Sequence, residues 1–419
     1  MLAYPKNIIF DYKTYKLYNR FMNKLPNGWE EKRLDDLFKE FTEKNHADKN
    51  ILASTQDRGV IPSDLLDRHI IRKKESLSNY KLVKKGCFVI SLRSFQGGFE
   101  YSNYEGIISP AYTILEPKMK LVDDFYKYYF KSYYFINKSL PKYAEGIRDG
   151  KQIKYKACKE ILVPYPPLDE QKRIASALSK IDAYLENTIK LIEEKERFKR
   201  GIAKKLLTCK EGKNIPEARF KGFENEWEIV KLGDMFDNFK EKNNEDKIIL
   251  ASTIDKGVIP NSLTERKIIR KKESLSNYKL VKKGCFVISL MSFQSGFEYS
   301  DYEGIISPAY TVLKPKIEMA HYFYKYYFKS FKFIKDLRPY AEGIRYGKQI
   351  KFKACKDILV PYPSIEEQEK IGGYLSLLDE EIDNLKKQKE LIKEMKRGAM
   401  QKLLSGEVRL SKNAFNENI

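Results

Sequence analysis

The sequence predicts two similar α/β domains, each followed by a long helix, with the two helices packed on each other. Three observations lead there. The chain carries an internal duplication along nearly its whole length, strand and helix patterns alternate within each copy, and a heptad-spaced seam follows each copy. The segments in order are an N-terminal extension at 1–25, a first α/β domain at 26–165 and a central long helix at 166–210. A linker and second α/β domain at 211–362, a C-terminal long helix at 363–406 and a tail at 407–419 complete the chain.

The duplication is read directly. The 23 residues IIRKKESLSNYKLVKKGCFVISL run from Ile70 to Leu92 and again from Ile268 to Leu290, 198 positions later. Trp29 aligns with Trp227, and DRGVIP at 57–62 returns as DKGVIP at 255–260. GFEYSNYEGIISPAYTIL at 98–115 returns as GFEYSDYEGIISPAYTVL at 296–313. After a one-residue deletion, YAEGIRDGKQIKYKACKEILVPYPPLDEQ at 143–171 matches YAEGIRYGKQIKFKACKDILVPYPSIEEQ at 340–368. Solenoid repeats are 20–50 residues long, so this is a duplicated domain with its linker.

Within each copy, CFVISL and EGIISPAYTIL are apolar, β-branched runs that read as strands. Glycines at 97–98 mark a turn, and DDFYKYYFKSYYFI at 123–136 has the apolar spacing of one helix. Past the next prolines the pattern changes. Ile174, Leu178, Ile181 and Leu185 recur at steps of four and three, and Ile371, Leu375, Leu378 and Ile382 keep the same register. Pro167 with Asp169, and Pro363 with Ser364, suit helix starts. Each helix has room for roughly 40 residues, about 60 Å. Both seams need a partner face, which each supplies to the other; the alternative is that each helix covers only its own domain.

A net charge of +21, from 79 Lys and Arg against 58 Asp and Glu, favours a polyanionic partner. With 42% hydrophobic residues the chain is folded, and no run of 18 apolar residues suggests a membrane span. The N-terminus lacks a secretion signal, and five Cys without metal spacing suit reduced thiols in a cytoplasm.

A catalytic group needed by both copies should occur in both. His46 aligns with Asn244, His69 with Lys267 and His321 with Asp123, so a His-based site is not expected. Asp123–Asp124 is lost against His321–Tyr322. GIRDGKQI at 146–153 fails as a phosphate loop, because its glycines are too close and Gln152 stands where Ser or Thr is needed. Cys87, Cys158, Cys285 and Cys355 recur in apolar contexts and read as buried.

Basic and polar residues do recur. Arg72, Lys73 and Lys74, with Arg270, Lys271 and Lys272, precede the CFVISL strand, and YKLVKKG reads as a phosphate-facing approach to it. The strand leads into RSFQGG with Arg93, Ser94 and Gln96, or MSFQSG with Ser292 and Gln294. Such side chains pair with base edges, Gln with adenine and Arg with guanine. Arg148 and Arg345 suit phosphate contacts in tight turns. The alternative for any one of these residues is a solvated hairpin.

PYPPLDEQKRIASALSKID, PYPSIEEQEKIGGYLSLLD, EGIISPAY, KLLSGEVRL at 402–410 and ARFKGFENEWEIVKLGD at 218–234 together resemble the specificity subunit of type I restriction–modification systems. The resemblance covers nearly the whole chain apart from the first 25 residues. It implies a non-catalytic subunit made of two target recognition domains separated by an antiparallel two-helix coiled coil, with pseudo-two-fold symmetry. Its implied partners are double-stranded DNA, two modification (methyltransferase) subunits and two restriction (translocase/endonuclease) subunits. The chain itself would hold no cofactor, while S-adenosylmethionine, ATP and Mg would sit in those partners.

Family members usually carry two unlike recognition domains, whereas these are nearly the same. Two like domains on antiparallel helices should read like half-sites in inverted orientation, with centres about 34–36 Å apart. Arg93 against Met291, Gly97 against Ser295 and Asn103 against Asp301 are the differences near the reading loop. A stand-alone methyltransferase with degenerate motifs and a scaffold that binds no DNA are the competing readings.

Overall fold

Within CFVISL, Phe88–Ile90 forms a strand buried on both faces, and the first unit is built around it. The computed structural model describes residues 25–66, 74–91, 97–143, 153–264, 272–288, 296–342 and 349–411. Its two units are Met1–Asn187 with Lys389–Ile419, and Thr188–Gln388.

The described strands of the first unit are β1 (Glu30–Arg33), β2 (Phe38–Phe41), β3 (Leu52–Thr55), β4 (Gly59–Pro62) and β5 (Lys81–Val83). They continue with β6 (Phe88–Ile90), β7 (Glu100–Tyr101), β8 (Gly106–Ile108), β9 (Thr113–Pro117) and β10 (Leu162–Tyr165). A four-stranded sheet has the order β2-β9-β6-β7, and β1–β10, β3–β4 and β5–β8 form antiparallel pairs. Alternation along β6 explains its double burial. Phe88 and Ile90 enter a large aromatic core, while Cys87 and Val89 enter a smaller aliphatic one with Leu52, Val83 and Ile114. Phe130 is the hub of the aromatic core, with ring centroids of Phe88, Phe99 and Phe135 at 5.0, 4.8 and 4.8 Å.

Two sequence expectations change here. EGIISPAYTIL is two strands, β8 and β9, because Pro110 lacks an amide hydrogen and Tyr112 N–H closes a turn on the Ser109 carbonyl at 3.1 Å. The helix expected at 123–136 runs only over Asp123–Tyr129. A second helical segment follows at Phe135–Ser139, and the Ser132 hydroxyl accepts from Phe135 N–H at 3.2 Å in front of it. The break is fixed from outside as well. Gly98, at φ +76°, packs so closely on the Phe130 carbonyl that a Cβ there would lie 2.0 Å from its oxygen.

The second unit repeats this plan. Its strands are β11 (Glu228–Lys231), β12 (Phe236–Phe239), β13 (Leu250–Thr253), β14 (Gly257–Pro260), β15 (Lys279–Val281) and β16 (Phe286–Ile288). The rest are β17 (Phe297–Tyr299), β18 (Gly304–Ile306), β19 (Thr311–Pro315), β20 (Ala341–Glu342), β21 (Gln349–Ile350) and β22 (Leu359–Tyr362). Its large sheet is β12-β19-β16-β17, and the register Phe286↔Leu313 repeats Phe88↔Leu115. Helices His321–Tyr327 and Phe331–Leu337 are split in the same way, with Ser330 capping the second.

The two long helices are Leu168–Leu207 and Ile365–Leu404, 40 residues each. Within the first unit, Lys396 Nζ meets Asp182 at 2.5 Å. Within the second, Lys195 meets Glu381 at 2.7 Å and Lys199 meets Asp379. The falling partner numbers make the pairing there antiparallel. Seam residues also join the cores of their own units. Ile174 and Leu178 are buried with Leu403 and Leu404, and Ile371, Leu375 and Leu378 with Leu206 and Leu207. Ile181 and Leu185 are half-buried, and Ile382 is buried. Among the described residues, no helix is long and apolar enough to cross a membrane.

Candidate nucleic-acid interface

The described structure holds the frame on which the expected DNA-facing residues are mounted. Arg72, Lys73, Arg93, Ser94, Gln96 and Arg148, and Arg270, Lys271, Ser292, Gln294 and Arg345, lie outside the described residues. Lys74 and Lys272 open the 3-10 turns Lys74–Asn79 and Lys272–Asn277, where the backbone alone is described. Fixed elements stand beside these stretches. β6 ends at Ile90, two residues before Leu92, and the β20–β21 pair Glu342↔Gln349 stands on either side of 343–348.

The lysines of YKLVKKG mostly serve the protein, contrary to the phosphate-facing reading. Lys81 Nζ donates to the Tyr112 carbonyl at 2.9 Å, and Lys84 sits 4.3 Å from the Phe41 ring centroid. Lys279 donates to the Tyr310 carbonyl, and burial lowers its pKa. Lys282 lies over the Phe239 ring, while Lys85 and Lys283 remain exposed. Long stems can turn inward as readily as outward, and the sequence does not distinguish the two.

An ion pair with a buried glutamate and a half-buried lysine recurs beneath the frame. Glu100 is 2% exposed and accepts from Lys131, whose Nζ also donates to the carbonyls of Gly97 at 2.7 Å and Gln56 at 3.2 Å. Glu298 is 1% exposed and accepts from Lys329, which donates to the Ile254 carbonyl at 3.1 Å. Burial draws both lysine pKa values down and pushes Glu100 up, in each case against the attraction of the partner charge.

The Glu-Gln pair at each long-helix start is the other recurrent polar site, and its role escaped the sequence reading. Gln171 is fully buried. Its amide donates to the Pro166 carbonyl at 2.7 Å and its oxygen accepts from Val122 N–H at 2.9 Å. Gln368 does the same with Pro363 and Ala320. Glu170 takes a bidentate contact from Nε and Nη2 of Arg409, whose Nη1 donates to the Asn27 carbonyl. Glu367 takes a bidentate contact from Arg219, at 2.8 and 2.7 Å, and the Trp227 indole N–H at 2.9 Å. Burial pushes Glu170 upward, but Arg409 outweighs it and holds the carboxyl below its ordinary value. Recurrence of Glu beside Gln in both copies was the available signal; nothing in spacing pointed to the arginines.

Burial pushes the Cys158 and Cys355 thiols up to about 12 and Cys209 up to about 11, which suits packing rather than reactivity. Among the described residues, no cluster of three or more His, Cys, Asp or Glu could hold a metal ion.

The model for the type I restriction modification DNA specificity domain matches the chain twice, at 26–194 and 224–394. The type I restriction enzyme MjaVIII specificity subunit of Methanocaldococcus jannaschii is 26% identical, over 94% of this chain and 96% of that protein. The S subunit of a type I restriction–modification system from M. genitalium, a crystal structure, superposes with a TM-score of 0.53. That match has 18% identity and covers 91% of this chain and 97% of that one. A chain from a structural study of type I R-M complex assembly and conformational transition superposes with a TM-score of 0.54 at 14% identity, covering 92% and 100%.

Proposed function

The chain belongs to the type I restriction–modification DNA specificity family, and from that premise we propose that its two units read nearly identical half-sites in inverted orientation. As a specificity subunit it selects the DNA sequence, and catalysis resides in partner subunits. Two modification and two restriction subunits assemble on it, bringing S-adenosylmethionine, ATP and Mg, and the methylated base is adenine.

One observation carries the half-site proposal. The two units share not only residues but strand order and register, down to Ala53↔Ile61 and Ala251↔Ile259 in the hairpins. Like frames present like side chains to the groove, and antiparallel helix pairing supplies the inversion. The bases are assigned to the stretches that carry Arg93, Ser94 and Gln96, or Ser292 and Gln294, with Arg72, Lys73, Arg148 and their counterparts on phosphates. Methylome sequencing of a host that expresses this chain with its modification subunit is the test. The expected motif is bipartite, with halves that are reverse complements at all but one or two positions. Two unrelated halves would refute the proposal.

A further inference from the structure

We infer that the β3–β4 turn and the β13–β14 turn are sequence-reading elements, and that Gln56 and Ile254 at their tips select different bases. The inference rests on the DNA-specificity reading and deepens it. Gln56, Asp57 and Arg58 are exposed, as are Ile254, Asp255 and Lys256, with Ile254 at 64%. Arg58 donates to the carbonyl of the exposed Leu65 at 3.3 Å, and Leu263, its counterpart in the second unit, is 60% exposed.

Both tips are rigid. The Thr55 hydroxyl donates to the Gly59 carbonyl at 2.8 Å and accepts from Arg58 N–H at 3.1 Å; Thr253, Gly257 and Lys256 repeat this at 2.9 and 3.1 Å. Gly59 and Gly257 have φ of +71° and +72°, and a Cβ on either would lie 2.7 Å from the carbonyl oxygen of Tyr101 or Tyr299. The half-buried Lys131 and Lys329 then hold the tips from below, through the Gln56 and Ile254 carbonyls. Taking a carboxylate out of water is costly. Meeting that cost twice, under an exposed turn, makes sense where the turn must be held still for a partner. Lys131 also binds the Gly97 carbonyl, so the turn and the far side of the 92–96 stretch share one anchor.

The frames are identical in sequence from Ile51 to Thr55 and from Gly59 to Pro62, and the copies differ between them only at Gln56 against Ile254 and Arg58 against Lys256. A constant frame with variant tips is what two readers of slightly different words require. A Gln amide pairs with adenine through two hydrogen bonds, whereas an apolar side chain favours the thymine methyl group.

The experiment uses the full specificity–modification complex carrying Gln56→Ile and Arg58→Lys together, which makes the two tips alike. Its methylated sites are read genome-wide, and its melting temperature is compared with wild type. One position of one half-site should change preference by roughly ten- to hundredfold and come to match the other half, with the melting temperature unchanged. The reverse pair, Ile254→Gln with Lys256→Arg, should shift the opposite half. An unaltered motif overturns the inference. So does an equal loss of methylation at every sequence, which would assign the turns to phosphate contact. If the wild-type complex methylates no defined sequence, the specificity reading itself fails, and that is visible before any variant is compared.

Discussion

His321 stands where the first unit has Asp123, and the two positions meet their neighbours differently. Tyr101 donates to Asp123 at 2.6 Å, whereas Tyr299 stacks on the His321 ring with centroids 6.1 Å apart. Burial lowers the His321 pKa from its ordinary 6.5, against the opposing pull of Asp301. The folded second unit therefore prefers neutral imidazole, and the unfolded chain takes up the proton first as pH falls through about 6.5. Stability is retained above that pH and lost below it. Thermal unfolding at pH 7.5 and 5.5 should show a smaller acid loss for His321→Asn than for wild type; equal losses would remove this role. The same comparison shows what a sequence can tell about one residue. That His321 lacks a counterpart is plain from the alignment of the copies, but its burial against Tyr299 and Gly284 depends on the fold.

The long helices are held at their starts by chemistry as well as by apolar packing. Glu367 is 1% exposed and Arg219 seals it, so Arg219→Met leaves a buried carboxylate with only the Trp227 indole. The second unit should lose about 3 kcal/mol, measured by urea unfolding. Arg409→Met should cost less, because the Arg409 side chain is 45% exposed and water already weakens its pull. Ile174, Leu178, Ile371 and Leu375 were legible as a seam from their spacing alone. Their companions in the domain cores were not, since a heptad pattern records that a face is apolar and not what covers it. The arginines were harder still. Arg219 follows Leu207 by twelve residues and Arg409 follows Leu404 by five, so no common spacing marks two groups that do the same work. The helix expected at 123–136 failed for a related reason: its apolar spacing continues through the break that Ser132 and Gly98 impose.

Each unit draws on both long helices, yet their sequence make-up is unequal. Thr188–Gln388 is one continuous stretch, whereas Met1–Asn187 is joined by Lys389–Ile419. In that first unit the turn at Gly406 packs on Pro26 and Trp29, and Arg409 closes over Glu170. A chain ending at Leu404 should therefore show faster amide exchange at Glu170–Ile174 with no change at Glu367–Ile371. Equal protection at the two starts would refute this. At this scale the sequence was most informative, because duplication declares itself without any structure. It was silent on which halves combine, since that depends on contacts between residues up to 382 positions apart. The division also sets an order of events at the ribosome. The half of the chain made first is finished last: its recognition unit waits, for a time on the order of tens of seconds, until the final residues emerge, while the later-made unit already has everything it needs.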